Sequence, residues 1–457
     1  MSAERKRVWS FCSKQPGLRK LLLAVATALC LSTPAHASLE KVDHIIVIVE
    51  QNHTFDSLFG AYPGVKGLAD VEQFPEVPGR RLRPLLYNHG IYERLRSRKR
   101  VEYLANHEAA ATDAYAEGSM GGFGRAQQER GRSPDLAMLY HDRTTARGLW
   151  MLADSHVLFD NYFSAARGGS LANMLHLIAG RRFDIKASKR GLAALSRLEA
   201  PTIFDRLNEN GVAWKYYVAR LDRIDQDAVR RGAYGRSGEA TPPQLYWAPV
   251  TGMNRFWSEP ELRQGLATQD DFYRDAAIGE LPSVSFVLPS PTDHPPNPPL
   301  RAHARLLGLV NAVKKGPHWR RTAIFVTWDD WGGHYDHVPP PRGRGFRVPA
   351  LLISPFAKQG YVSSVEHDHT SLTKVIVDRF GLRPLSPRQA SANTFEDAFD
   401  FEGKPADGAL HRLVEIDSVP LGTRTQNRAT LAMYVSSLLV AVMVVGGLIA
   451  RRRQPRR

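Results

Sequence analysis

The stretch from Ala323 to Pro341, AIFVTWDDWGGHYDHVPPP, ends an apolar β-rich run in two adjacent carboxylates, Asp329 and Asp330. A Trp-Gly-Gly turn follows, then His334, Asp336 and His337. Neighbouring carboxylates at a strand end repel each other unless a cation or an arginine neutralises them. The aromatic and glycine surroundings suit a crowded, partly buried turn, for which a divalent cation is the economical neutraliser. A solvated acidic loop is the plainer alternative. The segment His44 to Gly60, HIIVIVEQNHTFDSLFG, has the same form. A β-branched run, Ile45–Val49, leads straight into Glu50, Gln51, Asn52 and His53. Thr54 as a helix N-cap and Asp56 in a first turn explain part of it. Four consecutive polar side chains at the end of a core strand ask for more.

A third stretch is ARGGSLANMLHLIAG, Ala165 to Gly180. Leu171, Met174, Leu175, Ile178 and Ala179 recur at helical spacing, which puts Ser170 at the N-cap behind two glycines. A helix start on permissive backbone is suited to an anion, and Asn173, in the first turn, is placed to donate to it. By itself, a Gly-Gly-Ser cap is more often structural. Histidines stand in polar turn sequences at His107, His294, His367 and His369.

The elements that must position these groups follow from apolar patterning. Strands are expected at Ile45–Val49, Val284–Leu288, Ile324–Thr327 and Ala350–Ile353. Helices are expected at Asp135–Leu152, Leu171–Ala179, Arg301–Val313 and Ser371–Arg379. Alternation of the two in the first and last thirds indicates an α/β sandwich of three layers around a largely parallel sheet. In such sheets ligands gather at the carboxyl ends of strands, where each polar stretch falls. The segment from about 181 to 279, richer in charge, Trp and Tyr, reads as an elaboration that sets access to the site.

The net charge of +15 is concentrated at the ends. The first 37 residues contribute +5, the terminal RRRQPRR another +5, and only +5 remains in the body. Nucleic acid is therefore not expected as a partner. Residues 1–37 read as a secretory signal, with a basic region, the apolar core LLLAVATALCL and AHA at the cleavage site. Both cysteines, Cys12 and Cys30, fall within it, so any metal in the body, 38–428, would be held by oxygen and nitrogen. Residues 429–450 carry no charge and are long enough to cross a bilayer. The basic tail 451–457 would fix the carboxyl terminus in the cytoplasm, leaving the body on the periplasmic or extracellular side of the cell membrane.

Several long motifs, in order, resemble the bacterial phosphoesterase family. They are DHIIVIVEQNHTFDSLFGAYPGV, EGSMGGF, FDNYFSAARGGSLAN, TIFDRLNENGVAWKYY, LPSVSFVLPSPTDHP, TAIFVTWDDWGGHYDHVPPP, RVPALLISPFAKQGYV and DHTSLTKVI. The likeness runs from about Asp43 to about Arg388. It implies an alkaline-phosphatase-like fold and a phosphoric ester hydrolase of the phospholipase C or acid phosphatase type. Carried over by position, Ser170 is the nucleophile with Asn173 beside it. Gln51, Asn52, Asp329, Asp330 and Ser170 hold one divalent metal ion. His107, His294 and His369 line the phosphate pocket. The expected substrate is a phospholipid cleaved through a phosphoserine intermediate, and the alternative is a soluble phosphomonoester. One departure stands out, because the family has Glu-Asn where this chain has Gln51-Asn52. The uncharged amide also admits a catalytically silent surface binding protein.

Overall fold

The computed structural model describes residues 39–97, 103–232, 243–290 and 299–403. The leader 1–37, the apolar segment 429–450, the basic tail and His294 lie outside them. Among the described residues, no helix is long and apolar enough to cross a membrane.

Eight strands form one sheet. In chain order they are β1 (His44–Glu50), β2 (Val157–Phe159), β3 (Trp214–Val218), β4 (Leu266–Thr268), β5 (Val284–Val287), β6 (Thr322–Trp328), β7 (Ala350–Ile353) and β8 (Tyr361–Ser363). The spatial order is β8-β2-β7-β6-β1-β5-β3-β4. Every neighbouring pair is parallel except the two that β7 makes, with β6 and with β2. The expected α/β architecture with a large, mostly parallel sheet is what forms.

At the centre, β1 lies between β5 and β6, and Ile45 to Val49 are all fully buried. A strand covered on both faces reads as an unbroken apolar run, and each such side chain contributes about 1.5–3 kcal/mol by leaving water. The β1–β6 register, from His44 opposite Thr322 to Glu50 opposite Trp328, brings both strands to an end at the same level. The Asp329 N–H continues the ladder to the Glu50 carbonyl at 3.0 Å. Gln51–Asn52 and Asp329–Asp330 therefore leave the sheet side by side.

Five helices matter for the site: α1 (Phe55–Phe59), α2 (Glu108–Tyr115), α3 (Ser170–Ala179), α4 (Pro299–Lys315) and α5 (His369–Phe380). Thr54 caps α1 as expected, its hydroxyl accepting from Ser57 N. The expected helix over Asp135–Leu152 is broken instead into Pro134–Ala137, a short strand Leu139–Tyr140 and a helix Arg147–Ser155. Asp142 explains the break, because its carboxylate accepts from Thr144 N at 3.0 Å and Thr145 N at 2.9 Å. Such local bonds compete with helical ones.

The segment 181–279 also differs from expectation, since it supplies β3 and β4 to the sheet. Much of its aromatic content is packing. Phe204 lies 4.4 Å from Trp214 and 5.3 Å from Phe286 between ring centroids. The motif WKYYV, Trp214 to Val218, is a strand in which only Lys215 keeps partial exposure.

Candidate active site

Two backbone features bring the strand ends together. Asn52 turns at φ 58°, a left-handed conformation that Asn tolerates better than most residues. Gly332 turns at φ 60°, and a Cβ there would stand 2.0 Å from the Asn52 carbonyl oxygen. The glycine of the Trp-Gly-Gly turn is thus required by close approach of the two loops. Local strain of this kind is characteristic of sites that must aim side chains.

Ser170 is reached from a third element. The N-cap of α3 is Gly169, and Ser170 is the first helical residue rather than the cap. Its hydroxyl is consequently not committed to the helix backbone, and Oγ donates to Asp330 Oδ2 at 3.0 Å.

The four oxygens of the acidic pair divide cleanly. Asp329 Oδ1 accepts from Asn52 N at 2.9 Å and from Asp330 N at 2.7 Å. Asp330 Oδ1 accepts from Gly332 N at 2.7 Å and Asn106 Nδ2 at 3.0 Å. Asp330 Oδ2 takes the serine, while Asp329 Oδ2 is buried without a hydrogen-bond partner among the described residues. Both side chains are fully buried. Burial pushes the Asp329 carboxyl up to about 6, opposed by the Asn52 N–H, the neighbouring Ser170 hydroxyl and the Asp330 N–H. Burial, and then the charge of Asp329, push Asp330 well above the usual carboxylate range. A buried oxygen with no donor, beside a second carboxylate and a serine hydroxyl, has the composition of a hard divalent cation site. Asp329, Asp330 and Ser170 would hold such an ion, with the side-chain oxygen of Asn52 nearby.

Other residues singled out from the sequence take different places. Asn173 does not face an open anion site. Its Oδ1 accepts from Ala166 N at 2.8 Å, and its Nδ2 donates to Gly168 O and Gly169 O at 3.2 and 3.3 Å. It shapes the turn that presents Ser170. His369 does not line an open pocket either. It is fully buried, with Nε2 donating to Asp329 O at 3.0 Å and Nδ1 accepting from Tyr162 Oη at 3.1 Å. Burial lowers it to about 4, so it braces the Asp329 backbone as a neutral ring. His107 is exposed and caps α2, accepting from Ala110 N through Nδ1 at 3.4 Å. Glu50 keeps its place in β1 and accepts from Arg305 Nη2 at 2.6 Å, on α4, so no bulge draws it toward the acidic pair. Gln51 Oε1 accepts from Asn52 Nδ2 at 3.0 Å.

Two features were missed from the sequence. Asn106, one residue before His107, reaches the centre by donating to Asn52 Oδ1 at 2.8 Å and to Asp330 Oδ1. The polar run AsnHis ahead of a helix was visible, but which of the two turned inward was not. The second is a buried ion cluster. Asp56, Asp336 and His337 bring ligand-type atoms within 4.8 Å of one another. Arg347, also fully buried, already donates to Asp56 Oδ1 at 2.8 Å and to Asp336 Oδ1 at 3.1 Å. A metal there would have to displace a guanidinium that the fold has built in.

The Phosphoesterase family model matches residues 42–383. A non-hemolytic phospholipase C of Pseudomonas aeruginosa is 24% identical over 438 residues, covering 81% of this chain and 59% of that protein. A hemolytic phospholipase C of the same organism is 26% identical over 429 residues, and the chain again spans little more than half of it, 57%. Phospholipase C A of Mycobacterium tuberculosis is 25% identical over 457 residues, covering 85% of each chain. Among solved structures, a protein in the alkaline phosphatase superfamily from Vibrio parahaemolyticus aligns over 70% of this chain and 75% of its own. It is 11% identical, with a TM-score of 0.36.

Proposed function

The chain belongs to the Phosphoesterase family, and from that premise we propose that it hydrolyses phosphate esters in the manner of a phospholipase C. Ser170 is the nucleophile, and Asp329, Asp330 and Ser170 would hold one divalent cation. The observation that carries this reading is the Ser170 Oγ at 3.0 Å from Asp330 Oδ2, beside Asp329 Oδ2, which has no hydrogen-bond partner among the described residues. When bound, the cation supplies the positive charge that favours the serine alkoxide and draws on a non-bridging phosphate oxygen.

The chain's own residues do the rest. Ser170 attacks phosphorus in line and forms a phosphoserine while the ester oxygen leaves. The first turn of α3 presents backbone N–H groups that have no carbonyl four residues earlier to bond, and these suit the equatorial oxygens. Asn173 holds the Gly168–Gly169 turn so that this helix start stays in place. His107, whose capping bond uses Nδ1 and leaves Nε2 for proton transfer, or His294, protonates the departing alkoxide. Water then cleaves the phosphoserine.

The relatives named phospholipase C favour a phospholipid diester; a soluble phosphomonoester is the second reading. We also propose that the body works outside the cytoplasmic membrane on a 429–450 anchor, supported by the arginine block that follows it. A reporter fused after Arg457 that is active only in the periplasm would overturn that topology.

The central test is Ser170→Ala. Turnover of phosphatidylcholine and of a phosphomonoester should fall by about three orders of magnitude or more, with the fold unchanged. Near-normal turnover would remove Ser170 from the chemistry. Comparing the two substrates with the wild type decides the ester class, and lack of activity on either supports a binding protein.

A further inference from the structure

We infer that Asn106 is a positioning residue that fixes which oxygen of Asp330 faces the cation and how the Asn52 amide is turned; this rests on the metal reading above. Its Nδ2 carries two hydrogens, and both have acceptors: Asn52 Oδ1 at 2.8 Å and Asp330 Oδ1 at 3.0 Å. The bond to Asp330 completes the commitment of Oδ1, which already accepts from Gly332 N. Oδ2 is the oxygen of that carboxylate that faces Ser170. Asp329 is restricted in the same way, but by backbone N–H groups alone. Of the two carboxylates, Asp330 is the one whose Oδ1 is set by a side chain.

The bond to Asn52 does a second job. It turns the Asn52 amide so that its oxygen lies toward Asp330 and its nitrogen toward Gln51, where it donates to Oε1 at 3.0 Å. A line of amides therefore runs from Asn106 through Asn52 to Gln51. Along it the Asn52 oxygen is presented to the site, while Gln51 Oε1 is engaged by its neighbour.

The Asn106 backbone is itself anchored, as a positioning role requires. Its carbonyl accepts from Trp331 Nε1 at 3.0 Å. The preceding residue, Ala105, makes a two-way bond with the Gln127 amide, at 2.8 Å each way. On its other side the Asn106 Oδ1 lies 3.5 Å from where a Cβ on Gly169 would stand, so the side chain also abuts the turn that carries Ser170. One asparagine thus touches the β1 end, the β6 end and the nucleophile loop. Groups that hydrogen-bond to metal ligands in this way set ligand orientation, and their loss typically costs about 10–100-fold in metal affinity or activity.

The test uses the full chain, stripped of metal with chelator and titrated with Co2+. Affinity is followed by calorimetry and ligand geometry by the visible absorption of the ion. The wild type is compared with Asn106→Ala and with the near-isosteric Asn106→Leu, and melting temperature is recorded for each. Both variants should bind about 10–100-fold more weakly and show an altered Co2+ spectrum, with kcat reduced even at saturating metal. The melting temperature of the metal-free protein should change little. Two variants matching wild type in affinity and spectrum would overturn this inference and leave the metal reading standing. Failure of the wild type to bind would overturn the metal reading, and this inference with it.

Discussion

Two buried pairs of carboxylates lie beyond the ends of the same two strands, and they are treated in opposite ways. Asp56 and Asp336 follow β1 and β6 at some distance and share a built-in cation, Arg347. Phe55 stacks on that guanidinium with 4.4 Å between its carbon and the ring centroid, and the Lys66 and Asp160 carbonyls accept from Nη1. Every carboxylate oxygen has a donor, since His337 N and Nδ1 serve Asp56 Oδ2, while Asp56 N and Val338 N serve Asp336. Asp329 and Asp330 stand closer to the strand ends. Their donors are backbone N–H groups, an amide and a serine hydroxyl, and among the described residues one oxygen is left over. A saturated ion pair holds loops together. A pair with an oxygen to spare is prepared for something that comes and goes.

The sharpest way to break this comparison is to neutralise one member of each pair. Asp330→Asn should abolish most cation binding and lower activity by about 100-fold or more, because a neutral amide cannot offset the cation's lost hydration. The metal-free protein should be no less stable than wild type, since a buried like-charge repulsion is relieved. Asp336→Asn should leave the cation affinity unchanged while lowering the melting temperature. Calorimetric titration and thermal melts on both variants check the pair of outcomes. Metal affinity falling with Asp336→Asn instead would move the cation to the Asp56–Asp336–His337 set.

Next in size is the arginine itself. Arg347→Met leaves two buried carboxylates without their counter-charge, and breaking a buried ion pair in this way costs about 3–5 kcal/mol. Adding Asp56→Asn and Asp336→Asn to the same chain should recover part of that loss. Denaturant melts compare the single and triple variants. A triple variant no more stable than Arg347→Met would mean that Arg347 matters through its bonds to Lys66 and Asp160 rather than as a counter-ion.

These two clusters also show how far the sequence could be read. The strands β1, β5 and β6 were legible because their β-branched runs admit little else. The acidic pair was legible because Asp-Asp before a Trp-Gly-Gly turn is unusual in itself. Arg347 was not, since it lies 291 residues from Asp56 and sits in RVPALLI, which announces only a strand. Asn106 and His107 are adjacent, and only folding decides which faces inward. Trp214 to Val218 failed for another reason: lysine and tyrosine within a charged segment hid a strand that packs on Phe204, just before it, and on Phe286, which is distant in sequence.

A smaller effect separates the pairs by pH. Burial raises Asp329 to about 6 and Asp330 in the same direction. A carboxyl with a folded pKa above its unfolded value of about 3.9 favours the fold most below that value, and this contribution is lost as pH rises through about 6. Cation binding favours the ionised pair, so the increase in melting temperature on adding metal should grow from pH 5 to pH 7. The increment is the useful quantity, because burial holds His53, His141, His303 and His334 below the usual histidine range, so their contribution to stability rises with pH in the same window. An increment equal at pH 5 and pH 7 would mean that the cation does not bind ionised Asp329 and Asp330.

The smallest change concerns the one position where this chain departs from the family motif. Gln51 contributes no charge, and its Oε1 is engaged by Asn52 Nδ2. In Gln51→Glu, one carboxylate oxygen can keep that bond while the other is free to turn toward the cation. Three acidic side chains would then surround the ion in place of two, and hard divalent cations gain affinity with ligand charge. The gain is limited by what the metal-free protein must tolerate, namely a third buried carboxylate beside Asp329 and Asp330. We expect about a tenfold tighter Kd for the divalent ion, a lower melting temperature without metal and a higher one with it. Isothermal titration and melts in chelator check all three. A Kd unchanged by the substitution would show that position 51 stays outside the coordination shell whatever its charge. The two carboxylates and Ser170 would then account for the whole of the cation's affinity.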